Sequence, residues 1–319
     1  MSKYNIDLDY VIHNIDISYE ELEEIKTEAD KIISENKEKK ENLAIAYLKK
    51  AQCLRKLNSG KTPEFIFYDQ MGMIYKKEKR GIEGLLYKAL KLQPNMPEAL
   101  MQLGLLNAPG PFGGGKKVKE KAINFFGMAI RLKPDYAAAF NNRAMYFYDT
   151  LYDWYSPQNK NYVDKAKNNF KLAVTDLTEA IRIRPFDALY FVNRGIFYLN
   201  LEEYKEAVED FSCAINYASD VLKDGLIKEG ILIFVLRGRA YTGLKDYDKA
   251  IEDFSETLRL KPDHDETLLL RGKAYYLAGE KEKAITDFEE YLKRERISAY
   301  DAGREKIFKL IGVMPENIL

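Results

Sequence analysis

Residues 234–262 read FVLRGRAYTGLKDYDKAIEDFSETLRLKP, and this stretch decides the fold. It contains two segments with apolar side chains at helical spacing, separated by the polar turn GLKDYD. Gly238 and Ala250 are small, as they must be where two helices cross closely. Pro262 cannot continue a helix and therefore ends the second segment. The stretch predicts a helical hairpin.

The same framework returns elsewhere in the chain. In three stretches a glycine is followed by Tyr, Ala and Phe at offsets of +3, +12 and +16; these stretches lie within 191–211, 234–262 and 268–288. Four similar endings, ALKLQP, AIRLKP, AIRIRP and TLRLKP, close at Pro94, Pro134, Pro185 and Pro262, with spacings of 40, 51 and 77 residues. The spacings fit a unit of about 34 residues with insertions. Because a lone hairpin leaves one face uncovered, such units must stack.

These residues resemble the tetratricopeptide repeat family, whose pattern places Gly, Tyr, Ala, Phe and Pro at these offsets. The resemblance runs from about residue 63 to residue 296. It is weaker in the earlier units, where Ala144 replaces the glycine, Leu177 the phenylalanine and Ile82 the small residue. It implies an all-α fold, a right-handed α-solenoid of stacked helix-turn-helix repeats with capping helices at both ends.

The framework also predicts the boundaries of the units. Ser18 and Glu21 form a capping-box pattern, so a helix should begin at Tyr19. The longest insertions are interpreted as inserted turns at 107–120 and 149–167. The predicted divisions are an extended arm at 1–17, amino-terminal capping helices or a degenerate repeat at 18–62, about six repeats at 63–95, 96–135, 136–186, 187–228, 229–263 and 264–296, and a carboxy-terminal capping helix at 297–319.

Composition excludes several classes of protein. Lys plus Arg and Asp plus Glu number 50 each, so the formal net charge of zero argues against nucleic-acid binding. The longest apolar runs are too short to span a membrane. The amino terminus interleaves acidic residues and lacks the apolar core of a secretory signal, so we expect a cytoplasmic protein.

The sequence contains few of the residues that form catalytic or metal-binding sites. The chain has two cysteines, Cys53 and Cys213, and two histidines, His13 and His264, which is too few for a zinc site or a disulfide framework. We interpret both cysteines as reduced core thiols and His264 as a solvated residue at a helix start. The sequence therefore predicts no catalytic residue, no metal and no cofactor.

Two inserted segments invite sharper interpretations. Residues 110–117, GPFGGGKK, approach a phosphate-binding loop, but Lys117 stands where the magnesium-binding Ser or Thr would be and no strand precedes the segment. A flexible inserted turn is the better account. Trp154 lies between Tyr152 and Tyr155; this aromatic group is either an interface anchor or, as we favour, the small core of its own insertion.

The family resemblance implies that the first helix of each repeat lines a concave groove. The predicted groove residues are Asn141, Asn142, Met145, Tyr148, Val192, Asn193, Ile196, Val235, Leu236, Arg239, Leu269, Lys273 and Tyr276. Asn142 and Asn193 either hold a ligand's main chain or bond a neighbouring helix, and both alternatives stay open. Arg239 and Lys273 would favour an acidic residue or a free carboxylate. The Lys and Asn pattern of a chaperone-type dicarboxylate clamp fails in both registers that we tested.

Two functions follow as hypotheses. The first is a non-catalytic adaptor that binds a protein or peptide in the groove. The second is a structural module that self-associates, or joins a larger complex, through its end helices. RNA binding is disfavoured by the zero net charge, an enzyme is the least supported class, and the oligomeric state stays open.

Overall fold

The computed structural model describes residues 18–35, 39–59, 68–107, 116–148, 160–223 and 227–294. Throughout these residues the regular secondary structure is α-helical, as predicted. The chain divides into two compact units, residues 1–146 and 147–319. None of the described helices combines the length and the apolar character needed to cross a membrane.

The first unit contains helices joined in sequence order. Their bounds are α1 Tyr19–Glu35, α2 Lys40–Ser59, α3 Tyr68–Leu92, α4 Pro97–Leu106, α5 Lys116–Leu132 and α6 Ala137–Tyr148, the last of which ends just past the division between the units. Helices α1 and α2, α2 and α3, and α4 and α5 pack against each other. One core cluster joins α2, α3 and α4 around Leu86, and a second joins α4, α5 and the start of α6 around Phe126.

The second unit repeats one motif. Its helices are α7 Lys160–Ile183, α8 Ala188–Asn200, α9 Tyr204–Lys223, α10 Ile227–Gly243, α11 Tyr247–Leu260, α12 Asp265–Ala278 and α13 Lys281–Arg294. Helices α8 and α9, α10 and α11, and α12 and α13 form hairpins, and each hairpin packs against the next through α9 with α10 and α11 with α12. The fold class is therefore the predicted all-α solenoid of stacked hairpins, while its right-handed sense stays a prediction.

A glycine and a phenylalanine lock each of these hairpins. A Cβ atom added at Gly195, Gly238 or Gly272 would lie 2.6–2.7 Å from the ring of Phe211, Phe254 or Phe288 respectively, closer than carbon atoms can approach. The three rings are fully buried. The glycine is thus required by close approach within one hairpin, and Phe254 also shares a cluster with Ala274 of the next hairpin.

Helix ends follow the sequence signals closely. Helices α3, α5, α7 and α11 each end two residues before Pro94, Pro134, Pro185 or Pro262. The capping box is present: the Glu21 amide donates to Ser18 Oγ at 3.2 Å, and the Ser18 amide donates to Glu21 Oε2 at 2.9 Å. Helix α1 accordingly begins at Tyr19.

The start of α12 differs from expectation. We expected His264 to be a solvated residue at the start of this helix. The helix begins at Asp265, and His264 is its half-buried N-cap residue, with Nδ1 at 2.7 Å from Thr267 Oγ1. A hydrogen bond to a fully buried threonine draws the imidazole toward the helix.

Three predicted boundaries require correction. Residues 63–95 were expected to form a hairpin, but α3 is one continuous helix through residues 76–80, where a turn should have been. The stretch KKEKR contains only good helix formers and lacks the Gly or Asp of the other turns. Similarly, both inserted turns are shorter than predicted, because α5 already begins at Lys116 within 107–120 and α7 at Lys160 within 149–167.

Some predictions lie outside the described residues. They are the arm at 1–17, the carboxy-terminal capping helix at 297–319, residues 108–115 of the glycine-rich segment, and the aromatic group around Trp154. These stay predictions.

Candidate functional site

A row of arginine–aspartate pairs fixes the first helices of the second unit. Each arginine precedes the framework glycine, each aspartate precedes the framework phenylalanine, and the two are bonded through two parallel hydrogen bonds of 2.7–2.9 Å. The pairs are Arg194 with Asp210, Arg237 with Asp253, and Arg271 with Asp287. Bidentate geometry holds each first helix at a fixed rotation on its second helix.

Each arginine also reaches the preceding hairpin. The third nitrogen, Nη1, donates to a hydroxyl on the preceding second helix at 3.1–3.2 Å: Arg194 to Thr178, Arg237 to Ser212 and Arg271 to Ser255. One guanidinium therefore connects three helices. Sequence reasoning missed this row, although the signal was visible as Arg before Gly and Asp before Phe in each stretch.

The hydrogen bonds to aspartate favour the charged form of the arginines. Because Arg237 donates two hydrogen bonds to Asp253, the pKa of its guanidinium is raised above its usual value, and Asp287 acts in the same way on the pKa of Arg271. The aspartate side chains are only 5–7% exposed. These arginines are committed to the fold and are not available to a ligand.

The first helices α8, α10 and α12 lie side by side. Val192 and Ile196 of α8 pack against the cluster that contains Leu236 of α10. Val235 of α10 lies in one cluster with Ala274 of α12, and Leu270 packs against it. The outward surface of these helices forms one candidate face.

We call this surface the first-helix face and define it by its accessible side chains. They are Leu189, Val192 and Ile196 on α8, Arg239 on α10, and Leu269, Lys273 and Tyr276 on α12; Leu189, Arg239 and Lys273 are exposed and the others are half-buried. Arg239 and Lys273 each follow a framework glycine and are 34 residues apart. Among the described residues, neither forms an ion pair or a hydrogen bond. Six of the predicted groove residues thus lie on this face.

Three other predicted groove residues of this unit are buried. Val235 is 3% exposed and Leu236 is 7% exposed, because both fill the contacts between neighbouring first helices. Asn193 is 8% exposed. The prediction that these three residues line the groove is therefore wrong, because they are core residues on the buried side of their helices. The register of the framework alone did not distinguish the buried side from the exposed side.

The predicted residues on α6 are described within the first unit. Asn141 is buried, and Met145 is exposed. Asn142 is half-buried and its Nδ2 donates to the Ala138 carbonyl of its own helix at 2.8 Å, so this amide is engaged without a ligand. The side chain of Tyr148 lies outside the described residues.

The described residues hold no cluster of three or more His, Cys, Asp and Glu side chains that could bind a metal ion. Cys53 is fully buried, and burial raises the pKa of its thiol to about 11. Cys213 is half-buried. Neither thiol has the lowered pKa of a reactive cysteine.

Comparison with known families identifies the repeat. The sequence profile of the tetratricopeptide repeat family matches residues 235–302, which include Gly238, Phe254, Gly272 and Phe288. Residues 235–302 therefore belong to the tetratricopeptide repeat family. The family and the fold are those of protein-interaction scaffolds, which are generally not catalytic.

One curated protein similar to this chain is small glutamine-rich tetratricopeptide repeat-containing protein 2 of Saccharomyces cerevisiae. It is 39% identical over 51 residues, which amount to 16% of this chain and 15% of the yeast protein. The similarity therefore concerns a small part of both proteins.

Solved structures share the fold at low identity. The APC/C hetero-tetramer Cut9–Hcn1 matches with a TM-score of 0.54 and 17% identity over 95% of this chain and 50% of that chain. PilF of Pseudomonas aeruginosa matches with a TM-score of 0.53 and 14% identity over 85% and 99%. At these identities the likeness extends to the tetratricopeptide fold alone.

Proposed function

We propose that this protein is a non-catalytic scaffold that binds a protein or peptide segment along the first-helix face of its second unit. A single observation carries the proposal: Arg239 and Lys273 are exposed and unpaired among the described residues, and the other side chains that define the first-helix face are aliphatic or aromatic. Apolar side chains next to unpaired charges are the elements from which interfaces are built.

Rigidity of the supporting helices favours this use. Each first helix is held by a bidentate ion pair and by a hydroxyl contact to the preceding hairpin. A face whose backbone is already ordered loses less conformational entropy on binding than a flexible loop does. Specificity then comes from the side chains that vary between repeats, such as Ile196, Arg239 and Lys273 at one framework position.

Peptide selection with matched variants tests the proposal. A phage library of random short peptides is selected on the full chain, and the affinities of selected peptides are measured by fluorescence anisotropy. Leu189→Asp changes the first-helix face, and Leu172→Asp is the matched control on α7, because the two leucines are 49% and 51% exposed. We expect Leu189→Asp to weaken binding at least about tenfold, as the loss of a contact at an interface centre does, and Leu172→Asp to leave it unchanged. Failure to select any peptide, or equal effects of the two substitutions, would contradict the proposal.

A further inference from the structure

Charge is distributed unevenly over the first helices α8, α10 and α12. Of the described side chains on α8, α10 and α12, those that are both charged and exposed are Arg239, Glu266 and Lys273. Glu266 lies seven residues before Lys273, about two helical turns or 10 Å along the same helix. Arg239 and Lys273 therefore lie at equivalent positions along the neighbouring helices α10 and α12, whereas the exposed side chains of α8 are uncharged.

The two cations are close enough to share one anionic group. Helices α10 and α12 are neighbours, since Val235 of α10 and Ala274 of α12 lie in one buried cluster. The axes of packed helices lie about 8–10 Å apart. Arg239 and Lys273 occupy the same framework position on these helices. Because the side chains of Arg and Lys are both long and flexible, their charged ends can converge on a carboxylate between the helices.

These cations differ from the arginines beside them. Arg237 and Arg271 are bonded to buried aspartates and are held in place. Arg239 and Lys273 have no such partner among the described residues, and a carboxylate from another chain would meet no competing ion pair. Charge complementarity therefore selects an acidic partner.

We propose, on the basis of the scaffold function above, that the bound segment places one carboxylate between Arg239 and Lys273 and an apolar side chain on Leu189, Val192 and Ile196 of α8. The neighbouring helices are about 8–10 Å apart, and an extended chain advances about 3.3 Å per residue. The carboxylate and the apolar anchor are thus separated by about three to five residues. The carboxylate comes from an Asp or Glu side chain or from a chain terminus.

The peptide selection described above also tests this inference, with one further variant. The wild-type chain should enrich peptides that carry Asp or Glu about three to five residues from Leu, Ile or Phe. The double variant Arg239→Glu/Lys273→Glu should instead enrich Lys or Arg at that place. Both side chains are exposed, so the variant should fold, which circular dichroism and a thermal melt verify.

Synthetic peptides then distinguish the source of the carboxylate. Replacing the selected Glu by Gln should weaken binding about three- to fivefold for each cation that it loses, and added salt should remove most of that difference. A matched pair with a free or an amidated carboxy terminus tests the chain terminus in the same way. The inference is overturned if neither change affects affinity.

The two proposals fail in different ways. If selected peptides lose affinity on Leu189→Asp but carry no acidic preference, or if the charge-reversed variant selects the same peptides, the acidic specificity is wrong and the scaffold function stands. If binding does not depend on the first-helix face, both proposals are wrong.

Discussion

The ring of Phe254 lies directly against the Cα of Gly238, so that a Cβ atom there would be 2.6 Å from Cε1 of the ring. We expect Gly238→Ala to destabilise the protein by about 1–3 kcal/mol, because a buried ring has no free space into which to move. In the double variant Gly238→Ala/Phe254→Leu, the smaller leucine should partly remove the steric clash, so this loss of stability should be smaller than the sum of the two single effects. The sequence itself has Ala144 and Leu177 at these two framework positions in another repeat. A double-mutant cycle measured by urea denaturation checks this, and strictly additive effects would contradict it.

The buried pair of Arg237 and Asp253 offers a second prediction. Asp253→Ala leaves a guanidinium without its carboxylate at a half-buried site, and the free energy of unfolding should fall by about 2–3 kcal/mol. An apolar pair, Arg237→Met with Asp253→Leu, should recover most of this loss, because no uncompensated charge is left. The control is Lys249→Ala, which breaks an exposed pair with Asp246 and should barely change the urea midpoint. A larger loss in the double variant than in Asp253→Ala would show that the hydrogen bonds, and not the unpaired charge, dominate.

The turns within the hairpins contain residues with a left-handed backbone conformation. Glu202, Lys245 and Gly279 occupy equivalent turn positions with φ of 64°, 63° and 89°, in the left-handed region. A non-glycine residue there costs about 1 kcal/mol. Lys245→Gly should therefore raise the melting temperature, and Gly279→Ala, where no atom lies within 4 Å of the new Cβ, should lower it through backbone strain alone. Thermal denaturation measures both; a lower melting temperature for Lys245→Gly would contradict the assignment.

The two thiols should differ in reactivity. Cys53 is fully buried and its thiol pKa is raised to about 11, so a thiol reagent at pH 8 should modify it only after unfolding, while the half-buried Cys213 should react sooner. Single variants, Cys53→Ala and Cys213→Ala, identify which thiol reacts. Rapid labelling of Cys53 in the native protein would contradict its position between α1 and α2.

The same thiol predicts a pH dependence of stability. The folded pKa of Cys53 lies above the ordinary value of 9.0, so its protonated form is favoured in the folded state. Between about pH 9 and pH 11 the Cys53 thiol ionises in the unfolded state but not in the folded state. This ionisation stabilises the unfolded state and so lowers the free energy of unfolding. Wild-type stability should therefore fall more steeply over this range than that of Cys53→Ala, measured by urea denaturation at each pH. Parallel curves would exclude this contribution.

Much of the fold could be predicted from local signals in the sequence. Gly238, Phe254 and Pro262 recur at constant offsets because each has a local role. The glycine allows the two helices of a hairpin to approach closely, the phenylalanine packs against that glycine, and the proline ends the second helix. The capping box at Ser18 is local as well. The continuous helix α3 was missed because a repeat framework was extended to a stretch, KKEKR, that lacks any turn-forming residue.

The candidate face was only partly predictable. Arg239 and Lys273 are exposed, as a role in a groove requires, whereas Val235, Leu236 and Asn193 were not recognised as buried. Neighbouring positions on one helix differ by about 100° in direction, and which of them faces the next hairpin depends on the rotation of that helix.

By itself, the sequence determined that this chain forms helical hairpins of the tetratricopeptide type, since spacing and residue size act within a single hairpin. Only the tertiary structure decided which polar groups are committed to the fold and which are exposed without a partner among the described residues. Arg237 and Arg239 are both arginines on one helix, two residues apart, but the first is bonded to Asp253 and Ser212 and the second faces outward. That distinction depends on contacts between helices, whose packing sets the rotation of each one.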